Sequence, residues 1–314
     1  MLANFLNKSK PINFIGLLIF FFVSFLFNVF SDGFSGDRIL KIIILTLLFL
    51  SIFFIYNFII SKNKLTHDNS YAYFIFILLN ISFLSELEDY KTLILAIIYL
   101  LFIRKIYSLR TSKNVLEKLF DSGFWLGIFF ILEPLSILLF ILIYIASYLH
   151  SKITIHTLLV PIIGFITPLI IHFTYYFWYD QQEEFIKLFN FESIFDFQFY
   201  SETKYLWMIS VLFLFTICAI FAKSIKALSV NNTFKKSWIL LIYNFVILML
   251  FILLHPQKNG SELVFILFPI SVILANGIEM IQKKILKNLV LYLFLLGSII
   301  TVSYTHLRAH ETRH

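Results

Sequence analysis

The sequence predicts an all-α fold, a polytopic transmembrane helix bundle of about eleven spans with its N-terminus on the cytoplasmic side. Three observations predict it. Of the residues, 60% are hydrophobic and only 14% charged, and the mean hydropathy of +0.89 is far too high for a soluble domain. Apolar runs of about 15 to 22 residues follow one another along the chain, close to the length that crosses a hydrocarbon core. Lysine and arginine collect on one side of those runs.

In order, the runs lie at 13–31, 39–60, 70–84, 91–103, 119–132, 134–149, 157–178, 205–222, 237–254, 261–278 and 286–302. The first follows Lys8 and Lys10 without a small-residue cleavage pattern and reads as a retained signal anchor. Runs three to six are short, roughly 20 to 24 Å at helical rise, and are expected inside the bundle or where the bilayer thins. Between the fifth and sixth stands Glu133-Pro134. The proline suits the first turn of a new helix and the carboxylate needs water or a partner, so a tight outer hairpin is expected there.

Run seven carries Pro161, Gly164 and Pro168, which mark an irregular helix, and a lone His172. That histidine is either hydrogen-bonded inside the bundle or a ligand or proton relay. Tyr175, Tyr176, Trp178 and Tyr179 then read as an interfacial aromatic belt. The stretch 180–204 mixes acids with phenylalanines, as amphipathic helices at the interface do. Pro269 implies a kink in run ten.

Residues 1–301 form one membrane domain. The tail 302–314, VSYTHLRAHETRH, holds three of the eight histidines. Its abrupt change of composition resembles translated read-through of a sequencing adapter, so it is set aside as non-native; a His-rich metal-binding tail is the alternative. The single Cys218 excludes an intramolecular disulfide and a cysteine metal cluster. The 40 phenylalanines are spread through the runs, as lipid contact and helix packing require, and carry no functional weight.

Assigning the loops alternately to two sides places most of the 25 Lys and Arg on the N-terminal side, which the positive-inside rule makes cytoplasmic. The formal charge of +7 is therefore a topology signal, and no nucleic-acid partner is expected. Most of the 18 acids fall on the outer side, which makes the outer loops the place to look for chemistry.

In the first outer loop, Asp32 and Asp37 flank Gly33 and Gly36. They either cap a hydrated turn or act as a general base or metal-associated pair just above the bilayer, and both carboxylates can approach one site. They are the candidate catalytic residues. Arg38 follows them, and Glu86 and Glu88 stand in the second outer loop with Asp89. Late in the chain, LLHPQKNGSEL supplies His255 and Lys258, both able to donate charge-assisted hydrogen bonds to a phosphate, or else a plain turn between spans. Arg38, Glu86, Glu88, His255 and Lys258 are the candidate substrate-binding residues. No cofactor is firmly implied, although a divalent metal suits the aspartates.

The order of features resembles the GT-C-type glycosyltransferases. The resemblance rests on the first-loop aspartates, on FDSGFWLGIFFILEPLSILLFI, a Gly-containing span followed by a Pro-started one, and on LLVPIIGFITPLII and ELVFILFPISVILANGIE. It implies a GT-C-like arrangement of short and long helices and transfer of a sugar from a polyprenyl-phosphate donor to an outer-face acceptor, with Asp32 or Asp37 as the catalytic or metal-associated group. The chain departs from that pattern: its first loop has no Asp-Glu dipeptide, and no Arg-Tyr pair precedes the Pro269 span. The whole chain, beginning NFLNKSKPINFIGLLIF, also resembles an uncharacterised inner-membrane family of Gram-negative bacteria, which implies a fold and the bacterial inner membrane but no activity. Two other functions remain open: a lipid or small-solute carrier or flippase, suggested by the kinked spans and His172, and a non-catalytic subunit of an envelope assembly with unknown protein partners.

Overall fold

The computed structural model describes residues 2–30, 38–191, 197–201, 203–229, 233–256 and 258–311. Every regular element among them is helical. Helix α1 (Leu2–Leu6) is tied to α2 (Pro11–Phe30) by Asn13, whose Nδ2 donates to the carbonyls of Phe5 and Lys8 at 2.9 Å. Pro11 opens α2, where a missing N–H has no intrahelical partner to lose. There follow α3 (Arg38–Asn63), α4 (Tyr71–Ser82), the single turn α5 (Leu84–Leu87), α6 (Tyr90–Ser108) and α7 (Val115–Leu132). A 3-10 turn, Pro134–Leu139, leads into α8 (Phe140–Leu149), and α9 (Ile155–Trp178) is followed by the short α10 (Gln182–Lys187) and α11 (Gln198–Ser201). The chain closes with α12 (Thr203–Ser229), α13 (Thr233–Leu254), α14 (Val264–Met280) and α15 (Lys284–Glu311).

Among the described residues each of the eleven apolar runs is helical, but 7 helical segments are long and apolar enough to cross a membrane, so the chain is a multi-pass membrane protein with fewer such helices than the sequence suggests. The difference has two causes. Tyr71–Ser82 and Pro134–Leu149 are apolar but short, and α6 and α7 have the length but each carries three charged residues near its ends, which shortens its apolar stretch.

The interior is built around α4 and α14. Every residue of α4 is buried, and α14 is the most enclosed of the seven candidate spans. The two helices pack against each other, with α12 and α13 also against α14. Tyr56 of α3 fastens this centre: its hydroxyl donates to the Ala72 carbonyl at 3.0 Å and lies 2.6 Å from Ser271 Oγ, while its ring stacks on Phe76 at 3.7 Å.

A second tight contact joins α7 to α9. A Cβ at Gly123 would stand 2.1 Å from the Pro161 carbonyl oxygen, one at Gly127 2.4 Å from that of Phe165, and one at Gly164 2.2 Å from that of Phe120. Gly123 and Gly127 are spaced as GxxxG, the pattern that lets membrane helices approach backbone to backbone. Helix α9 starts from a capping box in which Thr157 N–H donates to Thr154 Oγ1 at 3.2 Å and Thr154 N–H to Thr157 Oγ1 at 2.8 Å.

Helix ends are specified without glycine at three places. Lys64, Ser151 and Asp180 all have positive φ, at 51, 55 and 54°. Each sits just past a helix, and the next N–H reaches back to the helix: Leu65 to Ile60 at 3.2 Å, Lys152 to Ser147 at 2.8 Å and Gln181 to Tyr176 at 2.9 Å. These are Schellman closures of α3, α8 and α9. At the other type of end, Asp89 caps α6 by accepting from Thr92 N at 3.0 Å. Asp89 thus has a structural task, and Asp89→Ala is expected to lower stability by about 1 kcal/mol, measurable as a lower unfolding midpoint in detergent.

Because the helices alternate in direction, the bundle has an N-terminal end and a distal end. The N-terminal end gathers α1, the start of α15 and the α3–α4 connection: Ala3 N donates to Asn288 Oδ1 at 2.9 Å and Tyr71 Oη to the Ala3 carbonyl at 3.2 Å. Toward it lies an ion pair between Lys223 of α12 and Glu279 of α14, 3.1 Å apart with side chains only 6% and 8% exposed. Glu279 also accepts from Asn69 Nδ2 at 2.6 Å and from His67 N at 3.1 Å. Beside it Gly277 leaves room for Ala219 of α12, whose Cβ would be 2.5 Å from an added methyl.

His150, which closes α8, is nearly buried. Burial first, and then the charges of Lys236, Lys152 and Arg110, push its ring down to about 4. The native state therefore holds a neutral ring that the unfolded chain would protonate. The stability it contributes is complete above about pH 6.5, the unfolded value, and is lost as the pH falls through about 4. His150→Asn is expected to flatten the acid limb of a plot of unfolding midpoint against pH; an unchanged limb would show that other groups control it.

Candidate functional site

Of the acidic and basic residues singled out in the outer loops, Glu86, Glu88, His255 and Lys258 belong to the distal end. The turn between α13 and α14 organises it. Gly260, at φ 88°, makes a reversal that a side chain would strain, and its open side is filled by Glu86: a Cβ there would lie 2.8 Å from Glu86 Cγ and 3.3 Å from the Phe199 ring. Asn259 supports the turn by accepting from Ser261 N at 3.1 Å. Within a few residues this turn sets His255, Lys258 and Glu262 at the mouth of the bundle.

Two carboxylates there are held by tyrosines. Glu86 Oε1 accepts from the Tyr205 hydroxyl, and Glu262 Oε1 from the Tyr200 hydroxyl. Glu262 is 1% exposed, and its Oε2 is buried with no hydrogen-bond partner among the described residues. Burial, and then the Glu262 carboxylate, push the Tyr200 phenol well above its ordinary range, so it stays a hydrogen-bond donor. The Phe199 and Tyr205 rings lie 4.4 Å apart and close this layer.

The cations have partners as well. Glu133, the C-cap of α7, places Oε2 3.4 Å from His255 Nε2, with both side chains largely buried. Here is the partner that a carboxylate beside Pro134 requires, and it fixes the orientation of the imidazole. Lys258 donates to the His255 carbonyl at 2.9 Å and lies 4.7 Å over the Phe197 ring.

Below this polar layer, between α12, α13 and α14, runs an apolar cavity of ≈ 240 Å³ lined by Phe197, Tyr200 and Tyr205 at its distal end and by Phe213, Met249 and Ile270 deeper down. A larger apolar cavity of ≈ 460 Å³ opens between α4, α12 and α15, lined by Leu78, Trp207, Phe215 and Phe294 among others. An alkyl or prenyl chain fits such surfaces by shape and van der Waals contact.

The candidate residues divide three ways. Glu86, His255 and Lys258 meet around the 255–262 turn. Glu88 is drawn to α2, where it accepts from Asn28 Nδ2 at 2.5 Å. Asp32, Asp37 and the Arg38 side chain lie outside the described residues. His172 is not in the interior: it meets Tyr176 edge-on at 4.8 Å and Phe185 of the following segment at 6.3 Å. The sequence reading missed Glu262, Tyr200 and Tyr205 as members of this layer. Among the described residues, no three His, Cys, Asp or Glu side chains are grouped to hold a metal ion.

No curated protein and no solved structure matches the chain. A family model covers residues 1–310, and the chain belongs to that family, DUF6427, a family of unknown function.

Proposed function

We propose that the chain is a membrane transferase that takes a sugar from a polyprenyl-phosphate donor at the distal face, in the manner of GT-C enzymes. The observation that carries this reading is the continuity of the ≈ 240 Å³ apolar cavity with a layer of tyrosine-held carboxylates and cations at its distal end. A lipid carrier needs that combination, a slot for its chain and polar groups for its head. The Lys/Arg distribution supports a cytoplasmic N-terminus, which makes the distal face the outer one, and the bacterial inner membrane is the location that fits.

In this reading Lys258 and His255 hold the donor phosphate, the imidazole steered by Glu133. The acceptor hydroxyl attacks the anomeric carbon while the bond from that carbon to the phosphate oxygen breaks, its electron pair leaving on the phosphate. The hydroxyl proton passes to a carboxylate of the segment between α2 and α3, Asp32 or Asp37. Tyr200 and Tyr205 hold Glu262 and Glu86 in place at the rim. A divalent metal, if one takes part, needs ligands from that same segment.

The experiment has two readouts on the full chain. Mass spectrometry of co-purified lipid is expected to find a polyprenyl phosphate on the native chain and not on Lys258→Ala; bulk phospholipid alone on both overturns the reading. Transfer in reconstituted membranes is expected to fall by about 10²–10⁴ in Asp32→Asn/Asp37→Asn. Bound carrier with undiminished transfer in that double variant would leave the lipid slot standing and remove the first-loop carboxylates from the mechanism. The carrier alternative has the Pro269-containing α14 in its favour; it predicts that the lipid crosses the bilayer without covalent change.

A further inference from the structure

The opposite end of the bundle carries a second polar site that owes nothing to the distal reading. His150 closes α8 with 9% of its surface exposed, and its Nε2 is buried with no hydrogen-bond partner among the described residues. Three cations from three different elements act on its ring: Lys236 from the first turn of α13, Lys152 from the turn after α8, and Arg110 from the turn after α6. The charges acting on that ring are all positive.

The surroundings hold these groups in place without neutralising them. Arg110 donates one N–H to the Asn63 carbonyl at 2.7 Å and Lys152 donates to Ser112 Oγ at 2.8 Å, both neutral acceptors, and each cation retains further donors. Neighbouring Lys118 is engaged by the Ser108 and Thr111 carbonyls and Thr111 Oγ1. The nearby carboxylate on α7, Asp121, is taken by Lys105. What remains, among the described residues, is a group of three positive charges and one unmatched buried imidazole nitrogen, with no carboxylate acting on it.

We propose that Arg110, Lys152, Lys236 and His150 form a binding site for a phosphate group at the N-terminal end of the bundle, with an anionic phospholipid headgroup as its source. A phosphate diester supplies what the site lacks. Its non-ester oxygens accept from the guanidinium and ammonium groups and from His150 Nε2–H, and its negative charge offsets the mutual repulsion of the cations. The place fits the source, because the ends of membrane-crossing helices lie at headgroup depth, where basic pockets between helices bind anionic lipid.

The test uses the full chain in nanodiscs of phosphatidylcholine with and without phosphatidylglycerol, with native mass spectrometry counting retained lipid. A separate arm titrates inorganic phosphate into the protein in neutral detergent. Three chains are compared: the native one, Lys152→Gln/Lys236→Gln, and Lys283→Gln/Lys284→Gln, which removes the same charge from exposed positions on the same end. Retained phosphatidylglycerol is expected on the native and 283/284 chains and to fall roughly tenfold or more on the 152/236 chain. Equal losses in the two double variants mean diffuse attraction to a basic face and overturn the site, as does a failure of both probes to distinguish the three chains. Inorganic phosphate bound by the native chain and not by the 152/236 chain, with no retained phosphatidylglycerol, keeps the phosphate site and overturns its lipid source. The lysines reach the surface, so matching unfolding midpoints confirm that each chain is folded.

Discussion

Gly164→Val is expected to lower the unfolding midpoint in detergent sharply by forcing α7 and α9 apart. The side chain would begin 2.2 Å from the Phe120 carbonyl oxygen, with the Phe124 nitrogen at 3.1 Å. These are backbone atoms of a helix and cannot rotate away as a side-chain tip could. The helices must separate along the whole GxxxG face, which gives up the packing that holds them together in a medium where hydrophobic burial supplies no driving force. The expected cost is about 3 kcal/mol, the upper part of the usual range for overpacked contacts. Gly16→Val and Gly297→Val serve as controls, since no atom lies within 4 Å of a Cβ at either position. If all three variants melt alike, the close approach of α7 and α9 is not what stabilises this part of the bundle.

The second large effect concerns Lys223 and Glu279, and its asymmetry is the useful part. Glu279→Leu leaves a buried ammonium without its carboxylate and also strips the acceptor from His67 N–H and Asn69 Nδ2. Lys223→Met leaves a carboxylate that still has those two donors. Breaking a buried pair costs about 3–5 kcal/mol, so Glu279→Leu belongs at the upper end and Lys223→Met at the lower. The double variant Lys223→Met/Glu279→Leu is expected to recover most of the loss, because no uncompensated charge remains. A double variant as unstable as the worse single one would contradict a pairwise account.

The sequence revealed the helices more fully than the groups between them. Period and apolarity alone locate α4, because nine consecutive apolar residues, 71–79, between polar connections admit little else, whereas α6 and α7 show why length is an insufficient guide: Lys91, Arg104 and Lys105 trim one, and Glu117, Lys118 and Asp121 the other. The need of Glu133 for a partner is visible beside Pro134, yet nothing local names His255, which reaches it only through folding. Tyr200 and Tyr205 look like any interfacial tyrosines, and Glu262 like one more outer acid, until the turn at Gly260 stacks them into one layer. Lys223 counts in the sequence only toward the basic side of the topology, and nothing marks Glu279 as its partner: a charge near a helix end looks solvated in the sequence whether or not another helix covers it.

Helix α4 has no face left for lipid, and at twelve residues it spans only about 18 Å. A segment so short has little capacity to settle across a bilayer unaided. Its principal neighbour, α14, emerges late in synthesis, so for much of translation α4 must wait with a side uncovered that the finished protein encloses. Biogenesis of this chain therefore depends on shelter for an incomplete intermediate, supplied by the insertion machinery or by the earlier helices α2 and α3. Truncations ending before α14 should meet the membrane quality-control proteases long before any activity could be measured.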